Sequence, residues 1–447
     1  MEAYKQHASD DTGRANGTSS FNDPAFASNK QAPVHRWVPW IAGFSSSFVR
    51  DTIERHTEGP QTVLDPFAGV GTTLVEAVLL GHAAIGFEIN PYAALACRLK
   101  VKAPSSDPHA MTTELERFRN FYAERVNNAY TPSSMPPEGF RTRAPFYSPV
   151  VLRKVLIVQD FISTMKDIQV RELFQLAFAA TMVSYSNYSY EPSLGRRATA
   201  DKPDIVDFPV DKVIYVKLEE MIADIIWCKD HMLPKPLAVS VVNKSWFQYQ
   251  HYLAPDTVDI VITSPPYLNN YHYNRNTRPH LYWLGFAQSP KDFHALEHAN
   301  FGTFWQTVRE QPRLDLNFPL PGSDLAERLA YLRQLNSERG IYGGNGWANY
   351  ASAYFNDCYR FALSLRYILK RGGKAFIVLG NSILQGVHIP TDRYLGQIAE
   401  SIGLALADIA IPRATRVGSS IIQSNVRVGK ATNTQQLYEA VVELRKL

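Results

Sequence analysis

The stretch from Thr62 to Pro91 constrains this chain most. Thr62-Val63-Leu64-Asp65 reads as a short buried strand that runs into the loop Pro66-Phe67-Ala68-Gly69-Val70-Gly71-Thr72-Thr73. Two glycines there let the backbone approach a ligand, and the apolar-periodic run that follows reads as a helix closed by Gly81. A second strand over 82–87 then ends at Glu88, Ile89 and Asn90. Strand, glycine loop, helix and a strand ending in a carboxylate form the nucleoside-binding half of a doubly wound α/β sheet, with Glu88 suited to accept hydrogen bonds from ribose hydroxyls. The loop lacks the third glycine of the dinucleotide fingerprint, and Asp65 stands where a pyrophosphate would be repelled. A cationic nucleoside without phosphate fits better.

A second feature lies far downstream. The apolar run Val258-Asp259-Ile260-Val261-Ile262-Thr263 stops in Ser264-Pro265-Pro266-Tyr267. A strand that ends in a rigid Pro-Pro turn aims a hydroxyl, a backbone carbonyl and an aromatic ring at one point beyond the sheet. Together they make a cup for a flat ring that carries an exocyclic amine.

The pair of motifs, Asp65-Pro66-Phe67-Ala68-Gly69-Val70-Gly71-Thr72-Thr73 followed by Thr263-Ser264-Pro265-Pro266-Tyr267, closely resembles the S-adenosylmethionine-dependent amino-methyltransferases that modify DNA. The resemblance covers about 34–447 apart from the insertions, and it implies a seven-stranded Rossmann-like methyltransferase sheet whose last strand forms an antiparallel hairpin with the sixth. It assigns Ser264, Pro265, Pro266 and Tyr267 to catalysis. It assigns Asp65, Phe67, Ala68, Gly69, Gly71, Thr72, Glu88, Asn90 and Asn243 to S-adenosyl-L-methionine, with Asp65 orienting the methionine amino group and Glu88 holding the ribose. In this family the serine form of the tetrapeptide is typical of cytosine N4 enzymes, while adenine N6 enzymes more often begin it with Asp or Asn. Where many relatives carry an Asp for the adenine amine, this chain reads Asn243-Lys244-Ser245-Trp246, so Asn243 or Ser245 would substitute. Trp37, Trp40, Gly43 and Phe44 match the segment beside the methionine moiety only loosely, with core packing as the other reading. Asn381-Ser382 either helps hold the target base or caps its strand.

Composition fits an intracellular enzyme. The chain has 447 residues, 45% hydrophobic and 20% charged, with a formal net charge of +4. That charge is too small to establish nucleic-acid binding by itself and permits a local basic face. No stretch is apolar enough to span a membrane and the polar start lacks a secretory signal, so a cytoplasmic location is expected. Cys97, Cys228 and Cys358 are isolated, which predicts buried free thiols, no metal site and no disulfide. None sits in the Pro-Cys dipeptide that ring-carbon cytosine methylases use as a nucleophile.

The expected map is a flexible tail over 1–32, a cofactor-binding half over 33–103, an inserted helical target-recognition region over 104–236, and a catalytic half over 237–447 with a lid-like insertion over about 268–347. Helices are expected over 41–53, 91–102, 325–335, 349–370 and 391–401, and later strands over 237–243, 374–380, 406–412 and 437–444. Within the helical region, the loop over 184–203 interleaves tyrosines with Ser and Asn and carries Arg196, Arg197 and Lys202, a mixture suited to phosphate contact and base stacking. The lid segment starts with His272, Arg275, Arg278, His280, Tyr282 and Trp283, which the sequence places within reach of the cup. The expected activity is therefore site-specific transfer of a methyl group to cytosine N4 in double-stranded DNA by base flipping. Adenine N6 transfer is the nearest rival, an RNA base methylase or a catalytically silent nucleic-acid-binding subunit more distant ones, and any cleaving partner in restriction or defence is a separate protein.

Overall fold

The structure, a computed structural model, describes residues 29–40, 43–190, 193–231, 238–268, 273–416 and 436–447. Its strands are β1 (Thr62–Asp65), β2 (Ala83–Phe87), β3 (Tyr188–Tyr190), β4 (Leu194–Arg196), β5 (Val239–Val242), β6 (Val258–Thr263), β7 (Leu369–Gly380), β8 (Ser382–Leu384), β9 (Val387–Ile389), β10 (Leu404–Arg416) and β11 (Gln436–Lys446). Seven of them form one sheet in the order β10-β11-β7-β6-β1-β2-β5. β5, β2, β1, β6 and β7 run parallel, and β11 is antiparallel to both β7 and β10. This is the expected doubly wound α/β sheet with a terminal hairpin. From β1 the chain builds outward to β2 and β5, then returns to the other side of β1 with β6. Such a reversal opens a crevice beyond the carboxyl ends of the two central strands.

The helices are α1 (Ser46–His56), α2 (Thr72–Leu79), α3 (Pro91–Val101), α4 (Pro108–Val126), α5 (Pro149–Thr164), α6 (Ile168–Thr181), α7 (Val210–His231), α8 (Tyr273–Trp283), α9 (Pro290–His298), α10 (Trp305–Val308), α11 (Leu325–Gln334), α12 (Gly344–Ile368) and α13 (Thr391–Ser401). Their starts follow local chemistry. Ser45, Asn90, Asp107, Ser148 and Asp167 each accept a backbone N–H from the first turn, and a proline opens α3, α4 and α5. The cap at Ser45 starts α1 at Ser46, later than the expected 41, because a cap residue is itself outside the helix. α12 ends at Ile368, before the expected Lys370, and β7 begins at once at Leu369. The Lys370-Arg371-Gly372-Gly373 stop signal lies inside β7, where its register against β6 shifts and Gly372 has φ +78°.

Side chains alternate across the sheet between two cores. Val63, Ile260, Ile262, Phe376, Val378 and Val441 point into one, and Leu64, Val261, Ile377, Leu379, Val442 and Leu444 into the other. The first core also contains α1 to α7, so the helices of 104–236 extend one face of the sheet's own core. The 268–347 segment divides between the two: Leu281, Tyr282 and Trp283 pack in the first, Phe301, Trp305, Val308 and Leu325 in the second.

The tail expected over 1–32 lies outside the described residues up to 28. From Asn29 the chain is held: Asn29 is fully buried, donates to the Phe44 carbonyl at 3.1 Å and accepts from Ser46 N at 2.8 Å. Residues 29–33, ahead of the expected Val34, are thus already part of the folded body. The next turn is pinned to α7 by buried Asp224, which accepts from Val34 N, Trp37 Nε1 and the Arg36 guanidinium at 2.8, 3.0 and 2.5 Å. Trp37 is therefore core, as its packing reading held. Asp224→Ala would strand several buried donors at once, and we expect a loss of about 3–5 kcal/mol, to be read from the midpoint of chemical denaturation.

Candidate active site

The glycine loop follows β1 and the Ser-Pro-Pro-Tyr turn follows β6. These strands are direct parallel neighbours, in register at Val63 with Ile260 and Leu64 with Val261. The two motifs therefore emerge side by side at the crevice. A hydrogen bond joins them: Thr263 Oγ1 donates to Asp65 Oδ1 at 2.5 Å.

One cavity sits on this junction. Phe67, Gly69, Glu88 and Asn90 line it from the β1 and β2 ends, Ser264 and Pro266 from β6, and Ser245 and Phe247 from the segment after β5. Trp40 and Asn274 close it on one side, Ala299, Asn300 and Phe301 on another. A larger cavity of about 460 Å³ lies between residues 29–40, α3 and α8, but it shares only Trp40 with the first and contains no residue of either motif.

Glu88 is the polar centre of the cavity. Its two carboxylate oxygens accept from Gly69 N at 2.8 Å and Asn90 N at 2.7 Å, which ties the glycine loop to the end of β2. Each oxygen keeps a further lone pair for a ligand hydroxyl. Burial raises the Glu88 carboxyl to about 7, opposed by its backbone hydrogen bonds and assisted by the nearby Asp65. Gly69 takes φ +51°, and a Cβ there would stand 3.4 Å from Trp40 Nε1. Gly71 takes φ +89°, and a Cβ would meet Cys97 Sγ at 2.7 Å, so α3 packs against bare backbone at this point.

Several sequence assignments change. Asp65 has no exposed surface and is absent from the cavity wall. It braces the loop instead, accepting from Phe67 N at 3.0 Å as well as from Thr263, and burial raises its carboxyl to about 6. Its Oδ2 has no hydrogen-bond partner among the described residues. Ala68, Gly71 and Thr72 likewise support the loop from behind: Ala68 N donates to Phe87 O at 2.9 Å, and Ala68 and Thr72 are buried. Asn90 lines the cavity, caps α3 through its oxygen and donates from Nδ2 to Thr277 at 2.7 Å. Asn243 turns away from the ligand side, donating to the Glu88 and Ile89 carbonyls at 2.8 and 3.1 Å, so Ser245 is the member of that pair on the wall. Asn381 is a strand cap, joined through Oδ1 to Tyr438 N at 2.8 Å, and Ser382 bonds the Leu268 carbonyl.

On the catalytic turn, Ser264 Oγ donates to Tyr267 Oη at 3.4 Å. Pro265 is buried between the exposed edges of Ser264 and Pro266. Tyr267 lies over the end of β7, where a Cβ on Gly380 would meet its ring at 3.1 Å.

The residues expected to overhang the cup mostly do not. His280, Tyr282 and Trp283 are buried in the helical core, His280 stacked on Tyr92 at 4.4 Å. Arg278 lies over the Phe140 and Tyr282 rings at 5.6 and 5.5 Å. His272 lies outside the described residues. α8 instead offers Asn274 to the cavity and exposes Arg275. The 184–203 loop folds as the β3–β4 hairpin and docks on α8, with Leu194 N donating to Asn276 Oδ1 at 2.8 Å and Tyr190 Oη to Asn276 O at 3.1 Å. Arg197 is engaged with Pro203 O at 2.9 Å, and Lys202 closes the same turn through its backbone N on Arg197 O at 3.1 Å.

Sequence reasoning missed Phe247 and Phe301. Their rings stack at 6.0 Å and Phe301 meets Phe67 edge-on at 5.2 Å, a wall built from three distant segments. Phe301 carried no signal, because its neighbourhood reads as an irregular insertion. Among the described residues no cluster of His, Cys, Asp or Glu could hold a metal ion, and no helix is long and apolar enough to cross a membrane.

The N6_N4_Mtase family, described as DNA methylase, matches residues 11–97. Over 430 residues the chain is 22% identical to the type II methyltransferase M.BsoBI of Geobacillus stearothermophilus, covering 86% of this chain and 82% of that protein. It is 23% identical over 418 residues to the type II methyltransferase M.AvaI of Nostoc sp., covering 87% and 82%. These matches support an N4/N6 DNA methyltransferase family. Among solved structures, TrmN from Thermus thermophilus aligns at 8% identity and a TM-score of 0.28, over 90% of this chain and 49% of that one.

The buried acids make a pH signature. Asp65 and Glu88 hold their protons more tightly folded than unfolded, so their contribution to stability is complete in acid and is lost as pH rises through about 6 and about 7. Thermal unfolding between pH 5 and pH 8 is expected to show this decline, and Glu88→Gln to make it shallower.

Proposed function

We propose that this protein methylates DNA, transferring a methyl group from S-adenosyl-L-methionine to the exocyclic N4 amine of a cytosine turned out of the duplex. The observation that carries the reading is the single cavity that Glu88 and Gly69 share with Ser264 and Pro266 across the β1–β6 junction. The residues present fit the cofactor. A carboxylate fixed by two backbone N–H groups retains lone pairs for ribose hydroxyls, the left-handed Gly69 clears the approach beside Trp40, and Phe67, Ser245, Phe247 and Phe301 offer an aromatic wall with one polar edge. When bound, the cofactor supplies a methyl group already activated on a sulfonium.

This chain's own residues then have three tasks: to fix the amine, exclude water and accommodate the change in charge. The arylamine lone pair is delocalised into its ring and is a weak nucleophile. N–H bonds to the Ser264 hydroxyl and the Pro265 carbonyl would draw density back to nitrogen. Ser264 is suited to accept, because its own proton is committed to Tyr267. Tyr267 offers its ring to the extruded base. Serine at 264, with no carboxylate in its place, favours cytosine N4 over adenine N6.

Duplex DNA would be held in part by Arg275 and Arg196, brought to one side of α8 by the Asn276 contact to the hairpin. Neither enters an ion pair among the described residues. The type II designation of the relatives supports a place in a restriction–modification system, with any nuclease a separate protein.

Digestion of methylated duplex to nucleosides and mass spectrometry should yield N4-methyldeoxycytidine; N6-methyldeoxyadenosine would transfer the assignment to adenine. Ser264→Ala should lower turnover about 100-fold or more with cofactor affinity within about twofold. Glu88→Ala should weaken cofactor binding about tenfold or more by calorimetry, and unchanged affinity would remove Glu88 from the ribose.

A further inference from the structure

The catalytic turn does not end at Tyr267. From Ser264 Oγ the hydroxyl bonds continue to Tyr267 Oη at 3.4 Å and on to Glu439 Oε1 at 3.3 Å. Glu439 belongs to β11, 172 residues further along the chain, and stands in register with Gly380 on β7 and Arg413 on β10. The ring of Tyr267 crosses β7 closely at Gly380, where a Cβ would stand 3.1 Å from two ring carbons. Three structural choices thus converge on one carboxylate, a proline-fixed turn, a bare backbone for the ring to cross and an acidic residue at the crossing's far end.

We propose that Glu439 is a positioning residue and the terminal acceptor of a proton relay through Tyr267 and Ser264. The proposal rests on the methyltransferase reading of the site. As the N–C bond forms and the methyl C–S bond breaks, the amine nitrogen becomes positive and its N–H acidic. The N–H bond then breaks toward Ser264 Oγ, the Ser264 proton passes to Tyr267 Oη, and the Tyr267 proton passes to the Glu439 carboxylate. One proton leaves the base, one arrives at Glu439, and both hydroxyls are restored. Hydroxyl bonds of this length in a site without substrate shorten when the substrate is held. The carboxylate acts before the proton arrives: its charge, carried through two aligned hydroxyls, makes Ser264 a stronger acceptor while positive charge is developing. It also fixes the Tyr267 ring for stacking.

Tyr267→Phe keeps the ring and removes the relay's middle hydroxyl, and Glu439→Gln keeps shape and removes the charge. The test measures single-turnover methylation of unmodified genomic DNA with labelled cofactor for the wild type, both variants and the double variant, alongside cofactor and DNA affinities. Each single change should slow transfer about tenfold or more, with affinities within about twofold. The double variant should be no slower than the slower single, because both remove the same path. Wild-type rates in either variant, or losses that multiply in the double variant, would overturn the relay. A wild-type protein that binds cofactor and DNA but methylates no base would instead overturn the methyltransferase reading.

Discussion

The site depends on one pairing, that of β1 with β6. These strands lie far apart in sequence, yet their parallel register brings Leu64 beside Val261 and delivers the glycine loop and the Ser-Pro-Pro-Tyr turn to one crevice. The Thr263–Asp65 hydrogen bond fixes the junction at 2.5 Å inside the protein, where an unmet carboxylate would be costly. Everything polar at the crevice is referenced to it. Asp65 holds Phe67 N, Glu88 holds Gly69 N and Asn90 N, and Asn243 holds the carbonyls of Glu88 and Ile89. Three strand ends are thereby laced together through side-chain to backbone hydrogen bonds, and Glu88, Asn90, Ser245 and Ser264 line the cavity between them.

The insertions serve that frame in different ways. The 104–236 helices share the core of one sheet face, and α7 clamps the segment that carries Trp40 through Asp224. The 268–347 segment straddles the sheet edge: α8 packs against the helical core and contributes Asn274, while the stretch near Phe301 closes the aromatic wall from the other side. The β3–β4 hairpin, docked through Asn276, links the half-buried Arg196 and the exposed Arg275 to the same helix that lines the cavity. DNA contact and base placement would then share one mechanical element.

Glu439 changes how the catalytic end is viewed. A serine and a tyrosine alone hold an amine; a carboxylate behind them gives the hydroxyl pair a direction. The hairpin of β10 and β11, which completes the sheet, also brings Glu439 to the Tyr267 hydroxyl. Gly380 gives the Tyr267 ring room at this crossing, since a Cβ there would press on the ring at 3.1 Å.

Local pattern in the sequence determined the sheet, the capped helices and the two motif-bearing loops, since strand periodicity, Pro and Gly punctuation and cap residues act over a few neighbours. Phe67, Gly69, Glu88, Asn90, Ser264 and Pro266, which it marked as candidates, all line one cavity. It also marked Asp65 and Asn243 as candidates, and both bond backbone groups in the structure; a polar residue at a strand end looks alike in sequence whether it faces ligand or backbone, and its direction is decided by what packs above it. It placed His280, Tyr282 and Trp283 at the cup because proximity along the chain stood in for proximity in space, whereas the α8 face turned them into the core. Phe247, Phe301 and Glu439 were invisible to it for one reason. Each comes from a segment distant from both motifs, and only the tertiary contact, fixed by burial of the sheet's two faces, brings it to the crevice.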